Sequence, residues 1–220
     1  MISDAIISIM EWIGTISFAV SGALVAIGCS LDVLGVVTVG CVTAVGGGII
    51  RDTIIGNIPP KVFSHPGTLL LAVATSIVVF LISYIYRKKF KQFRETIETF
   101  NVLFDALGLA AFSIAGVEVV CLSINKNNVL LVILLGVITG VGGGVLRDVL
   151  VNEKPYVLTK HVYAVVSILG CCFYYLFSVY LNYKVFATIF VLIFTVTIRM
   201  LAAKYRWKLP KINISDNENE

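Results

Sequence analysis

The sequence predicts an all-α integral membrane protein with seven transmembrane helices, arranged as a 3+3 inverted repeat plus one C-terminal helix. Three observations predict it. Of the 220 residues, 58% are hydrophobic and only 14% charged, with a mean hydropathy of +0.96, whereas soluble domains carry about 25% charged residues. Seven apolar runs each approach the roughly 20 residues that a helix needs to cross the hydrocarbon. One unusual motif, "VGGGIIRD" at residues 45–52, returns as "VGGGVLRD" at 141–148.

The apolar runs cover residues 5–27, 34–55, 68–86, 102–122, 129–151, 162–181 and 185–202. None resolves into the alternating segments of about ten residues that a membrane barrel requires. The first run is expected to be retained, because Asp4 and Glu11 stand where a signal peptide carries basic residues and no small-residue cleavage site follows.

Gly46 and Gly142 are 96 residues apart, and at that spacing Gly40 falls on Gly136, Arg51 on Arg147, Asp52 on Asp148, Pro59 on Pro155 and His65 on His161. Upstream, at a spacing of 94, "EWIGTISFAVSG" from residue 11 falls on "DALGLAAFSIAG" from residue 105, matching Gly14 with Gly108, Phe18 with Phe112 and Gly22 with Gly116. Each repeat holds three helices. Three is odd, so the second copy starts from the other side of the membrane, and the pair is related by a pseudo-two-fold axis in the membrane plane. The expected divisions are a first three-helix repeat over 1–86, a basic cytoplasmic connection over 87–100, an inverted repeat over 101–181, a seventh helix over 182–203 and a cytoplasmic tail over 204–220.

Positive charge sets the orientation. Arg87, Lys88, Lys89, Lys91 and Arg94 follow the third helix, Lys154 and Lys160 the fifth, and Lys204, Arg206, Lys208 and Lys211 the seventh. The opposite connections hold little besides Lys61, Lys126 and Lys184. The N-terminus is therefore expected outside and the C-terminus in the cytoplasm. The basic connection is a topology signal, with contact to anionic membrane lipids as its other reading. The last six residues, "SDNENE", are polar and expected to be disordered.

Gly46, Gly47 and Gly48 in the second helix, and Gly142, Gly143 and Gly144 in the fifth, each cost a helix roughly 1 kcal/mol relative to alanine. The expectation is a kink or unwound turn, placed centrally because freed backbone groups must be buried in protein or line a water-filled cavity. The competing expectation is close packing, for which Gly40, Ala44 and Gly48 form one small-residue stripe and Gly136, Gly140 and Gly144 another.

Arg51 with Asp52, and Arg147 with Asp148, each make a near-neutral unit, as charges inside a membrane usually do. Each pair falls near the end of its helix, where an arginine can snorkel to the interface. Inversion puts the pairs on opposite sides of the glycine region, as two entrances to one pathway. Glu11, Asp105 and Glu118, acids near helix ends, are weaker candidates, with interfacial placement as the alternative for Glu118. His65 and His161 are expected in cap or interface roles. The five cysteines have no metal-ligand spacing and read as packing residues. The glycine triplets lack the GK[ST] ending of a phosphate-binding loop, and no Ser-His-Asp or His/Cys cluster stands out, so no enzyme, metal or cofactor is expected. Nucleic-acid binding is not expected either, since topology accounts for the basic residues.

At "GGGIIRD" and "GGGVLRD" the sequence resembles the prokaryotic trimeric intracellular cation (TRIC) channels, a family also described as a duplicated glycine-transporter domain. The likeness covers residues 5–203. The resemblance implies a homotrimer in the plasma membrane of a prokaryote, with one pore inside each protomer, lined by second and fifth helices bent at the glycines. It also implies passage of potassium with some sodium. Arg51, Asp52, Arg147 and Asp148 become polar residues near the pore. Animal relatives have a lysine before a Glu-Val pair in the fourth helix and bind a phosphoinositide there. Here the equivalent is Val117-Glu118-Val119 without that lysine, so phosphoinositide regulation is not implied.

The leading expectation is a potassium-permeable channel, in which Asp52 and Asp148 offset the arginines' repulsion of cations. The alternative is a secondary transporter of glycine or another small amino acid, with Arg51 or Arg147 holding the substrate carboxylate. A purely structural trimer is disfavoured by the charges kept in both repeats.

Overall fold

A computed structural model of the chain describes residues 2–87, 93–123, 128–159, 162–205 and 207. His161, residues 88–92 of the basic connection, Lys126, Lys160, Arg206 and residues 208–220 of the tail lie outside these residues. Nine helices follow one another among the described residues: α1 (Ile2–Gly28), α2 (Val33–Ile54), α3 (Lys61–Ser64), α4 (Gly67–Ile85), α5 (Arg94–Ser123), α6 (Val129–Leu150), α7 (Tyr156–Thr159), α8 (Val162–Tyr175, continued by a π-helical turn Leu176–Tyr180) and α9 (Lys184–Lys204). All but the short α3 and α7 are long and apolar enough to cross a membrane.

The same local chemistry begins and ends α2 and α6. The side chain of Asp32 caps α2 by accepting from Gly35 N at 2.7 Å, and Asn128 caps α6 by accepting from Leu131 N at 3.2 Å. Each cap satisfies an amide that the first helical turn leaves unpaired. Beyond the other ends the chain turns through left-handed residues, Gly56 (φ 77°) and Asn152 (φ 58°), the two residue types that enter this region most readily.

The long helices pack reciprocally. Phe18 of α1 and Phe112 of α5 meet with ring centroids 5.3 Å apart, each lying on the other helix's glycine, Phe112 on Gly14 and Phe18 on Gly108. A Cβ on Gly47 would strike the main-chain oxygen of Thr139, and one on Gly143 would strike that of Thr43. Both threonine hydroxyls turn back to bond their own helix, at Val39 O and Leu135 O, each at 2.6 Å. Gly22 lies against Gly40 and Thr43 just as Gly116 lies against Gly136 and Thr139.

One expectation needs correction. α2 and α6 run as uninterrupted α-helix through their glycine triplets. No unwound turn forms, because Gly47 and Gly143 spend their missing side chains on backbone approach between helices, the close-packing alternative. The glycine segments lie inside the bundle, with Gly46, Gly47, Gly143 and Gly144 buried, although over their length α2 and α6 are less enclosed than α5 and α1. The most apolar window of α5 is 78% buried and that of α1 56%, against 44% for both α2 and α6 and 17% for α4. The outward faces, with residues such as Leu34, Leu70 and Leu130, remain apolar and exposed, as a lipid solvent requires. α9 is held to α8 by edge-on phenylalanines, with Phe173 against Phe194 at 5.3 Å and Phe177 against Phe190 at 5.5 Å.

Candidate functional site

Where α2 ends, Arg51 donates through Nε and Nη2 to Asp52 Oδ1 at 2.9 and 2.7 Å. The other carboxylate oxygen, Oδ2, accepts from Lys61 N at 3.0 Å. One aspartate thus neutralises the guanidinium and fastens the start of α3. The end of α6 repeats the arrangement: Arg147 Nε donates to Asp148 Oδ1 at 2.8 Å, and Asp148 Oδ2 accepts from Tyr156 N at 2.8 Å at the start of α7. The pairing of each arginine with its neighbouring aspartate matches the sequence expectation. Snorkelling does not, since Arg51 is 3% exposed and Arg147 fully buried. The physical reason is the carboxylate beside each arginine, which replaces water as the partner of the buried charge.

The two sites then differ. Around Arg51 lies a cavity of about 440 Å³ between α1, α2, α3 and the start of α4, reaching inward to Thr15, Gly48 and Phe112. Glu11 lines it, half-buried, and has no hydrogen bond or ion pair among the described residues. Asp4, Lys61 and His65 also line the cavity. His65 is the C-cap of α3, one of the two roles expected for it, and its side chain is exposed.

Around Arg147 the corresponding space is full of protein. Arg147 Nη1 donates to Asp105 Oδ1 at 2.8 Å and to Ser21 Oγ at 2.7 Å. Ser21 Oγ in turn donates to Asn101 Oδ1 at 2.7 Å. Arg199 of α9 enters from the other side, donating Nη2 to Asp105 Oδ2 at 3.0 Å. Its guanidinium carbon lies 4.3 Å from the centre of the Tyr163 ring, and that of Arg147 lies 5.1 Å from the centre of the Tyr156 ring, cation–π geometry in both cases. Asp105, Arg147, Tyr163 and Arg199 are all buried. Two guanidiniums therefore face the two carboxylates of Asp105 and Asp148 with no access to solvent.

Glu118 is also buried, as Asp105 is. Its carboxylate takes Lys184 Nζ at the start of α9, which also contacts Ser3, and accepts from Tyr174 Oη at 3.3 Å. It lies thirteen residues beyond Asp105 on α5, about 20 Å along the axis, so it belongs to a different cluster. Sequence reading missed Ser21, Asn101, Tyr163, Lys184 and Arg199. Asp105 was visible, because at the upstream spacing it falls on Glu11. Arg199 gave only the signal of a lone charge inside an apolar run. The six motif glycines divide: Gly47, Gly142 and Gly143 make the α2–α6 crossing, Gly46 lies against Leu146, and Gly48 and Gly144 sit below the two arginines.

Buried, internally paired charges and a cavity that admits charged side chains into a seven-helix apolar bundle define a polytopic membrane protein of the channel and transporter class. A family model described as Glycine transporter matches the chain twice, over residues 8–84 and 102–179, each match taking in three of the spans. The chain belongs to this duplicated-domain family, the one that includes the prokaryotic TRIC channels. It is 35% identical to the inner membrane protein YadS of Escherichia coli over 94% of the chain and 97% of the relative. It is 36% identical to the membrane protein YvgT of Bacillus subtilis over 92% and 94%. Among solved structures, a TRIC cation channel analysed for its conductance is similar at 34% identity and a TM-score of 0.78, covering 95% of this chain and 98% of that one. The TRIC orthologue of Rhodobacter sphaeroides is similar at 27% identity and a TM-score of 0.81, covering 91% and 98%.

Proposed function

We propose that the protein is a monovalent cation channel, mainly permeable to potassium, in the plasma membrane of a prokaryote. The likeness to TRIC cation channels over nearly the full length of both chains carries this reading. The reading includes an inverted 3+3 repeat with α9 outside it, supported by the reciprocal contacts Gly47–Thr139 and Gly143–Thr43 and by the double family match. Repeat boundaries follow the divisions predicted from sequence. The N-terminus faces outward and the C-terminus the cytoplasm, on the strength of the basic connections. Three protomers assemble, as the word trimeric in the name of the related channel states, and each carries its own path.

Within a protomer the path follows the glycine helices α2 and α6, entering through the cavity beside Glu11 and Arg51. Asp52 and Asp148 cancel the arginine charges locally, so that Glu11 contributes attraction for cations at the outer mouth. Where Gly47 and Gly143 bring the two backbones together the path is closed, and opening requires α2 and α6 to separate there.

The family description favours a second reading, uptake of glycine or a similar amino acid. A carboxylate clamp would need a free guanidinium, whereas Arg51 is held by Asp52, and Arg147 by Asp105, Asp148 and Ser21. That occupancy favours the channel. The test is recording from purified protein in a planar bilayer under a potassium chloride gradient. Unitary currents reversing near the potassium potential are expected. Electrical silence together with saturable glycine uptake into proteoliposomes would establish the transporter instead.

A further inference from the structure

The two halves carry the same ionisable frame with different contents. In one, Glu11 and Asp52 accompany Arg51 beside an open cavity. In the other, Asp105 and Asp148 accompany Arg147. Each frame holds two carboxylates and one guanidinium, leaving one negative charge over. In the second frame that charge is answered by Arg199, whose Nη2 sits 3.0 Å from Asp105. In the first, Glu11 has no direct cation among the described residues; Lys61 stands at the cavity rim with its side chain exposed.

The surrounding residues follow the same division. At the repeat spacing, Tyr163 corresponds to Gly67 and Tyr156 to Pro60. Tyr163 lies under the Arg199 guanidinium and over Gly144, where an added Cβ would come within 3.0 Å of its hydroxyl. Gly67 and Gly48 instead line the open cavity, with nothing within 4 Å of a Cβ built on Gly67. Among the described residues, Arg199 Nε and Tyr163 Oη are buried without a hydrogen-bond partner. Burying two donors unpaired is unfavourable, so the guanidinium is held chiefly by Asp105 and the Tyr163 ring. It is therefore an occupant of this pocket, contributed by the one long helix that has no counterpart in the repeat.

We propose that Arg199 is a tethered cation: beside Asp105 its guanidinium fills the position that a permeant cation takes beside Glu11 in the other half, and so keeps the second half of the path shut. α9 thereby acts as a positioning element for conduction. Opening requires the guanidinium to leave Asp105, which empties a pocket shaped for a small monovalent cation.

This inference rests on the channel reading, and the test separates the two. Arg199→Ala should leave a guanidinium-sized vacancy. Methylguanidinium at millimolar concentration should then raise the unfolding midpoint of the detergent-purified variant, growing with the logarithm of concentration as for a ligand of the folded state. Matched sodium chloride and urea should not, and wild type should show no such rise. In the bilayer, R199A should carry more cation current than wild type, and methylguanidinium should return it toward the wild-type level. R199K, which keeps the charge, should stay near wild type. Absence of methylguanidinium-specific stabilisation in R199A, or currents in R199A no larger than in wild type, would overturn the tethered cation. If R199A is recovered only when methylguanidinium is present during purification, that yield reports the same binding. If it is never recovered, the current of R199Q replaces it: above wild type and R199K is expected, and equality of all three overturns the proposal. A wild-type protein that carries no current while R199A still binds methylguanidinium would remove the channel reading and leave the site.

Discussion

Asp105 and Arg199 lie 94 positions apart and meet at 3.0 Å, both buried, with Arg147 on the other oxygen of the same carboxylate. A carboxylate shared in this way holds α1, α5, α6 and α9 together, since Ser21 joins through Arg147. Asp105→Asn removes the charge while keeping the shape. It leaves the Arg199 guanidinium buried without a counter-ion, and breaking such a pair costs about 3 to 5 kcal/mol. The unfolding midpoint of D105N in detergent is expected to fall well below that of wild type. D105E, which keeps the charge, should lose less. An unchanged midpoint in D105N would mean that the network is not part of the protein's stability.

The glycine triplets make a positional prediction. Gly47→Ala and Gly143→Ala each drive a methyl into a carbonyl oxygen of the facing helix, whereas a Cβ at Gly48 meets only Arg51 Nη2, at 3.9 Å. Overpacking of this kind typically costs about 1 to 3 kcal/mol. G47A and G143A should lower the unfolding midpoint to similar extents, and G48A should be near neutral. If the three behaved alike, the crossing of α2 and α6 would not be as close as described.

How much of this was legible beforehand depends on what each residue's signal was. The seven spans follow from apolar run length, and the edges moved little: 34–55 became Val33–Ile54. The exception is α5, which begins at Arg94, because a polar segment can continue a helix below the apolar run that a hydropathy reading detects. Glycine triplets carry no such directness. Three missing side chains permit either an opened backbone or a close neighbour, and only the position of Thr43 and Thr139 on the facing helices decides between them. The Arg51–Asp52 unit was readable because its partners are adjacent in sequence. The Asp105–Arg199 pair was not, since α9 lies outside the repeat and offered no second copy to align.

The charge at Glu11 should be felt as an ionic-strength effect. The carboxylate lines the cavity without a direct counter-ion among the described residues, so in the channel reading it raises the local cation concentration. Such attraction is screened, with a Debye length of about 30 Å at 0.01 M salt and about 3 Å at 1 M. Glu11→Gln is therefore expected to lower single-channel potassium conductance strongly in dilute potassium chloride and weakly in molar salt. A loss that is the same at both concentrations would place Glu11 in a structural role.

Gly67 offers a way to test the cavity without removing any charge. It stands at the first turn of α4, lines the cavity and has nothing within 4 Å of a built Cβ, while its counterpart in the second repeat is the bulky Tyr163. Gly67→Tyr should place a ring in the open space, as Tyr163 does beside Arg147. Because the site is empty and glycine is a poor helix former, the unfolding midpoint should hold or rise. Ionic current should fall, and so should the reaction of a cysteine placed at Thr15 with a small charged thiol reagent added from the outer side. Current and labelling that persist in a stably folded G67Y would mean that ions and reagent reach the interior by a route other than this cavity.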